Sequence, residues 1–253
     1  MIPPIIHYCW LSNDPLPDEF VYYLNKWKET LKGYEFILWD FDKFNINKSV
    51  WVKEAFLSGK YAFAADYIRL YALYEYGGIY LDLDVEVLKR FDDFLHLPTM
   101  VCYENSKDKR LEMATIGTEK HSSWIKLCLD YYENKHFINT KGEQETKVLP
   151  CVIRDVLKEN NYSFIEIEKP DDYFNINTIK KGIPILPYTY FSPKSYGSGK
   201  ILKSENTYSI HHFSGSWLPW YAKLEKKLFH SLGLSYHDVI RRIFALINKE
   251  HYK

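Results

Sequence analysis

Nowhere in this chain do about 18 uncharged apolar residues stand together, so no transmembrane helix is expected. Cysteine is scarce: Cys9, Cys102, Cys128 and Cys151 lie far apart without a C-x-x-C pair. That excludes a metal-type cysteine spacing and marks the four as reduced residues, mostly of the core. Neither sign of charge is in excess, with Lys+Arg and Asp+Glu both at 33. No net field therefore draws the protein to nucleic acid. Glycine and proline, 11 each, form no linker, and the 253 residues are expected to make a single domain. The opening Met1-Ile2-Pro3-Pro4 lacks the features of a secretory signal, so a cytoplasmic protein, soluble or peripheral to a membrane, is expected.

What the chain has in quantity is aromatic side chains, 17% of the total with 22 Tyr and 7 Trp. Rings with a polar edge suit sugars and bases, but most of these are expected to fill the core.

Strands and helices alternate clearly in the first half. Ile5-Ile6-His7-Tyr8-Cys9-Trp10 reads as a strand buried on both faces, with His7 as a core histidine. Residues 18–31 begin with acids, end at Lys32-Gly33 and carry Phe20, Tyr23, Leu24 and Trp27 on one stripe, so they read as a helix before a second strand at 34–39. A short helix at 50–58 precedes a longer one at 61–76, which Gly77-Gly78 stops. Strands at 85–88, 99–104, 164–167 and 183–186 and helices at 122–133 and 148–160 complete the expectation, with a loop at 191–203 and basic helices from 218 onward. The fold class expected is α/β with a mixed sheet flanked by helices.

Tyr80-Leu81-Asp82-Leu83-Asp84 follows the two glycines directly. Residues two apart on a strand point to one side, so Asp82 and Asp84 are expected to converge on a cation while Leu83 faces the core. Paired hard carboxylates suit Mg²⁺ or Mn²⁺, and such ions leave positions for a substrate's phosphates. An isolated Asp-x-Asp is also common in solvated turns. Upstream, Asp66 and Arg69 share a helix face, which by itself describes an exposed ion pair worth about 0.3–0.5 kcal/mol.

Three blocks together carry a family resemblance: Ile6-His7-Tyr8-Cys9-Trp10; Ala64-Ala65-Asp66-x-x-Arg69 through Gly77-Gly78-x-Tyr80-x-Asp82-x-Asp84; and His212-x-x-Gly215-x-Trp217. In these the chain resembles the Asp-x-Asp glycosyltransferases that include bacterial capsular polysaccharide transferases, the yeast initiating α-mannosyltransferase and, more distantly, the large clostridial glucosylating toxins. The resemblance implies a GT-A-type, Rossmann-like fold. It also implies transfer, with retained configuration, of a hexose from a UDP-sugar to a surface glycan, such as one in capsular or lipopolysaccharide synthesis. The parts it suggests are residues 1–104 for the nucleotide sugar, 105–217 for the acceptor side and 218–253 as basic helices, a foothold for a lipid-linked acceptor at the inner face of a membrane or simply a packed terminus.

The resemblance assigns Asp84 and one of the two histidines, His212 by spacing, to Mn²⁺ or Mg²⁺, leaving His211 as the alternative. Asp82 goes to ribose and sugar hydroxyls, and Asp66 and Arg69 to the donor sugar. Trp10 is placed on the uracil, Tyr80 in the donor site, and Ser214, Ser216 and Trp217 on the diphosphate. A non-catalytic module that binds nucleotide sugars or glycans is the alternative, followed by a nucleotide-diphosphate hydrolase.

Overall fold

Gly77 and Gly78, with φ of 66° and 103°, turn the chain from helix α3 (Tyr61–Tyr76) into strand β3 (Gly78–Leu81). A Cβ at position 78 would lie 2.7 Å from the Ile5 carbonyl oxygen, and one at position 77 would lie 2.6 Å from the Lys120 nitrogen. Positive φ and close backbone approach both demand glycine at this junction. The computed structural model describes residues 1–105, 109–176 and 179–215.

Strand β1 (Ile5–Cys9) pairs in parallel with β2 (Glu35–Trp39) on one side and with β3 on the other. Helix α1 (Asp18–Thr30) makes the β1-to-β2 connection, while α2 (Val50–Leu57) and α3 lie between β2 and β3. Beyond β3 the sheet turns antiparallel through β6 (Thr115–Thr118), with β5 (Thr99–Met100) at the edge, giving the order β2-β1-β3-β6-β5. The mixed sheet flanked by helices is the α/β architecture expected.

Strand alternation sends side chains to two cores. Ile6, Tyr8, Ile79 and Leu81 join Phe20 and Trp27 of α1 on one face. Ile37, Trp39, Tyr80 and Ile116 join Ala64, Ile68 and Leu73 of α3 on the other. That second face also receives α4 (Ser123–Asp130) and α5 (Leu149–Glu159). His7 is fully buried and satisfied as a core histidine: its Nδ1 accepts the Trp39 indole N–H at 3.1 Å. The proton must then sit on Nε2, which donates to the Gly77 carbonyl at 2.7 Å.

Two expectations change. The strand expected at 99–104 is limited to β5, followed by single bridges at Cys102 and Tyr103. The Asp-x-Asp pair is not on a strand: β3 ends at Leu81, and the Val85 N–H donates to the Asp82 carbonyl at 3.0 Å, closing a tight turn before β4 (Val85–Val87). Leu83 still faces the core, 6% exposed. Strand β4 leaves the main sheet and pairs antiparallel with β9 (Ser209–His211), with Val85 opposite His211. A two-stranded parallel pair, β7 (Ser163–Glu166) with β8 (Gly182–Ile185), is tied to the segment after β5 by a bridge between Leu186 and Cys102, with the Leu186 N–H donating to the Val101 carbonyl at 3.0 Å. All four cysteines are free thiols, Cys102 and Cys128 buried and Cys9 and Cys151 partly so. Among the described residues no helix is long and apolar enough to cross a membrane.

Candidate active site

The β4–β9 pairing carries the chain from residue 209 back to the Asp-x-Asp turn. The His212 N–H donates to the Asp84 carbonyl at 3.0 Å, and the Ser214 N–H donates to Asp84 Oδ2 at 2.7 Å. His211 Nε2 lies 3.5 Å from Asp84 Oδ1. One ligand atom each from Asp82, Asp84 and His211 fall within 4.8 Å of one another. Two carboxylates and an imidazole are a donor set that Mn²⁺ accepts readily. Beside them the Ser214 hydroxyl is buried and has no hydrogen-bond partner among the described residues, so it is free to donate to an anionic group held there. The residues present therefore fit a divalent cation and an anionic group held next to it.

The histidine of this cluster is His211, a correction to the spacing argument for His212. The His212 ring is turned away: Nε2 contacts Glu86 Oε2 at 2.9 Å, Nδ1 lies 3.2 Å from Lys194 Nζ, and its face stacks on Tyr23 at 5.2 Å. Adjacent residues at a strand end project to opposite sides, so only one of the pair can join the aspartates.

Arg69 is 6% exposed. One terminal nitrogen donates to the Met113 carbonyl at 2.6 Å and the other to Asp82 Oδ1 at 2.9 Å, while Asp66 Oδ1 stands 3.8 Å away. The exposed ion pair expected from spacing alone is thus a buried guanidinium flanked by two partly buried carboxylates, Asp66 and Asp82. Tyr80 needs correction as a donor contact: at 2% exposure it lies beneath the guanidinium, 4.3 Å from ring centre to Cζ, and supports Arg69.

The charges at this site are pushed apart. Burial raises Asp66 to about 7 despite Arg69, with Asp82 adding to the shift. Burial likewise raises Asp82 against the pull of Arg69. Burial acts upward on Asp84 too, but His211 and the Ser214 N–H outweigh it and hold that carboxyl well below the ordinary range. Burial works downward on His211, yet Glu112 and Asp84 together hold the imidazole well above its usual value. Three carboxylates near one imidazole, with Asp84 held ionised and Asp66 and Asp82 pushed toward the neutral form, are the pattern of a site with divided roles.

Trp10 stands just past β1, half-buried, its Nε1–H donating to the Asp14 carbonyl at 2.8 Å and its ring edge-on to Phe20. It lines a cavity of about 200 Å³ with Ser12, Asn13, Leu38, Asp40 and Phe41, at the carboxyl ends of β1 and β2. Carboxyl ends of parallel strands are where open α/β sheets take ligands. Cys9, one residue before, feels the charges of Arg69, Asp82, Asp40 and Asp66, although burial is the main cause that pushes its thiol up. The end of β1 therefore runs between this cavity and the Asp-x-Asp turn. Ser216, Trp217 and the basic segment 218–253 lie outside the described residues.

Sequence reasoning missed Glu112, a fully enclosed carboxylate 3.2 Å from His211 Nδ1. The signal was there: a lone acid inside Leu111-Glu112-Met113-Ala114 has to find a partner if that run is buried.

Residues 17–101 match the family model described as a glycosyltransferase sugar-binding region containing a DXD motif. Over 104 residues the chain is 36% identical to inositol phosphoceramide mannosyltransferase 3 of Schizosaccharomyces pombe, covering 40% of this chain and 29% of that one. Over 105 residues it is 35% identical to a mannosyl phosphorylinositol ceramide synthase of Saccharomyces cerevisiae, covering 40% and 28%. Over 81 residues it is 50% identical to glucan organizing enzyme 1 of Cryptococcus neoformans, covering 29% and 22%. The matches thus span less than a third of the length of these relatives. The solved structure of a PaToxG glycosyltransferase superposes with a TM-score of 0.48 at 18% identity, covering 63% of this chain and 70% of that one. Asp66, Arg69, Asp82 and Asp84 all fall within the residues that match this family model.

Proposed function

We propose that the protein is a metal-dependent, retaining glycosyltransferase that moves a hexose from a nucleoside diphosphate sugar to a glycan or lipid-linked glycan. The observation that carries this reading is the convergence of Asp82, Asp84, His211 and the Ser214 hydroxyl, which has no partner among the described residues, from positions 130 residues apart in the case of Asp84 and Ser214, on one point beside Asp66 and Arg69.

Asp84 and His211, with Asp82 as the third donor, would hold Mn²⁺ or Mg²⁺. The cation supplies Lewis-acid neutralisation of the charge that builds on the departing diphosphate. Ser214 Oγ–H donates to a phosphate oxygen, and Trp10 offers its ring to the base. Asp66, held at about 7, can exchange a hydrogen bond with a sugar hydroxyl in either protonation state. Arg69 keeps Asp82 fixed at the sugar side. Front-side substitution, in which the leaving phosphate takes the acceptor's proton, requires no carboxylate nucleophile.

The sequence resemblance points to a UDP-sugar and a surface polysaccharide. The names of the fungal relatives, mannosyltransferases of inositol phosphoceramide, favour a second reading in which mannose goes to a membrane lipid. On that reading the protein works at a membrane surface. Incubation with UDP-glucose, UDP-galactose and GDP-mannose, with Mn²⁺ and a panel of glycan and glycolipid acceptors, tests both. Metal-dependent product with the donor's anomeric configuration is expected. Donor binding without turnover would leave a binding module instead, and release of free sugar at the same rate with acceptor present would leave a hydrolase.

A further inference from the structure

We propose that Glu112 is the positioning residue for the metal site, fixing the tautomer and orientation of His211 so that Nε2 presents its lone pair to the cation. The inference rests on the metal reading above and deepens it. Glu112 is 2% exposed and sits between buried Leu111 and Met113. Its backbone N–H donates to the Cys102 carbonyl at 2.9 Å, and its Oε1 accepts the Ala114 N–H at 2.7 Å, so the carboxylate is anchored from its own strand approach. Both oxygens then face His211 Nδ1, at 3.2 and 3.3 Å.

A carboxylate only accepts, so the hydrogen shared with Nδ1 belongs to the ring. That leaves Nε2, the nitrogen 3.5 Å from Asp84, as the ligand atom. Metal-binding histidines generally give their other N–H to a carboxylate or carbonyl, and losing that partner typically costs about 10–100-fold in metal affinity. The ring is also confined by Phe213, whose centroid lies 3.9 Å away, so the imidazole cannot swing to another partner without disturbing the Asp84 loop.

Titration calorimetry with Mn²⁺ alone, on wild type, Glu112→Gln, His211→Ala and the double variant, tests this, with the thermal unfolding midpoint of each recorded alongside. Glutamine keeps Oε1 as the acceptor for Ala114 but removes the charge and replaces the second oxygen facing Nδ1–H with an N–H₂ donor, so the single variant is expected to fold and to bind Mn²⁺ about tenfold more weakly. On the His211→Ala background the same substitution is expected to change nothing, because Glu112 acts through that ring. Undiminished Mn²⁺ affinity in Glu112→Gln, or an equal loss with and without His211, would overturn the proposal while leaving the metal site intact. No Mn²⁺ binding by wild type would instead overturn the metal reading beneath it. If His211→Ala binds too weakly to titrate, the ¹⁵N spectrum of Zn²⁺-loaded wild type decides: a protonated Nδ1 and bound Nε2 support the assignment, and the reverse tautomer defeats it.

Discussion

Arg69 holds Asp82 across 2.9 Å from the middle of a helix to the turn after β3, and ties the Asp-x-Asp turn to the core. The guanidinium is buried, but Asp82 keeps 31% of its side chain exposed. Arg69→Ala is therefore expected to lose about 1–3 kcal/mol in urea unfolding, less than the roughly 3–5 kcal/mol for breaking a fully buried pair. A change within 0.5 kcal/mol, the range usual at an exposed site, would show that the contact is dispensable.

His7 predicts a pH dependence. Burial holds its pKa at about 4 against an ordinary 6.5, with the Gly77 hydrogen bond opposing in part. Between these values the unfolded chain takes up a proton that the folded one refuses. Stability present above pH 6.5 is therefore lost as the pH falls through the window, by on the order of 3 kcal/mol, and levels off below about 4. Asp66, raised to about 7, contributes a slope of opposite sign over the same window, so the readout is the difference: in urea unfolding from pH 7.5 to 4, wild type should lose stability relative to His7→Gln as the pH falls. Parallel profiles would contradict the assignment.

Trp10 is fixed by the Asp14 carbonyl and Phe20 before any ligand arrives. Trp10→Ala should weaken nucleoside diphosphate binding by roughly 1–3 kcal/mol, as lost base stacking does. Affinity for Mn²⁺ alone should not move. Equal nucleotide affinity in the variant would remove the indole from the base site.

Ser214 separates stability from binding. Its hydroxyl is buried and has no partner among the described residues, so Ser214→Ala should be neutral or slightly stabilising in thermal unfolding. Diphosphate binding in the presence of Mn²⁺ should weaken by about 1.5–3 kcal/mol, the worth of a hydrogen bond to a charged group. Lower stability with unchanged binding would reverse this account.

Much of the first half was legible because local signals agreed there. The continuous apolar run at 5–10, the stripe of α1 and the Gly77-Gly78 stop each fix an element without reference to the rest. Strand β6 was not legible, since Thr115-Ile116-Gly117-Thr118 carries a glycine that normally weakens a strand. The reason for that glycine is tertiary: a Cβ at 117 would meet Ile79 and Met100, each at 3.2 Å. The aspartates were found, but their convergence comes from a turn rather than strand alternation. The choice of His211 over His212, and the part of Glu112, depend on the β4–β9 register, which joins residues more than 120 positions apart and leaves no trace in local spacing.

The central claim is that Asp84 anchors a cation to which a diphosphate binds. It is tested most directly by titrating UDP or GDP, whichever wild type binds, with and without Mn²⁺, into wild type and Asp84→Asn. Asparagine keeps the acceptor for the Ser214 N–H and removes only the charge. Wild type should bind the nucleotide at least about tenfold more tightly with Mn²⁺, and the variant should bind it equally with and without the metal. The same Mn²⁺ enhancement in both proteins would contradict the account.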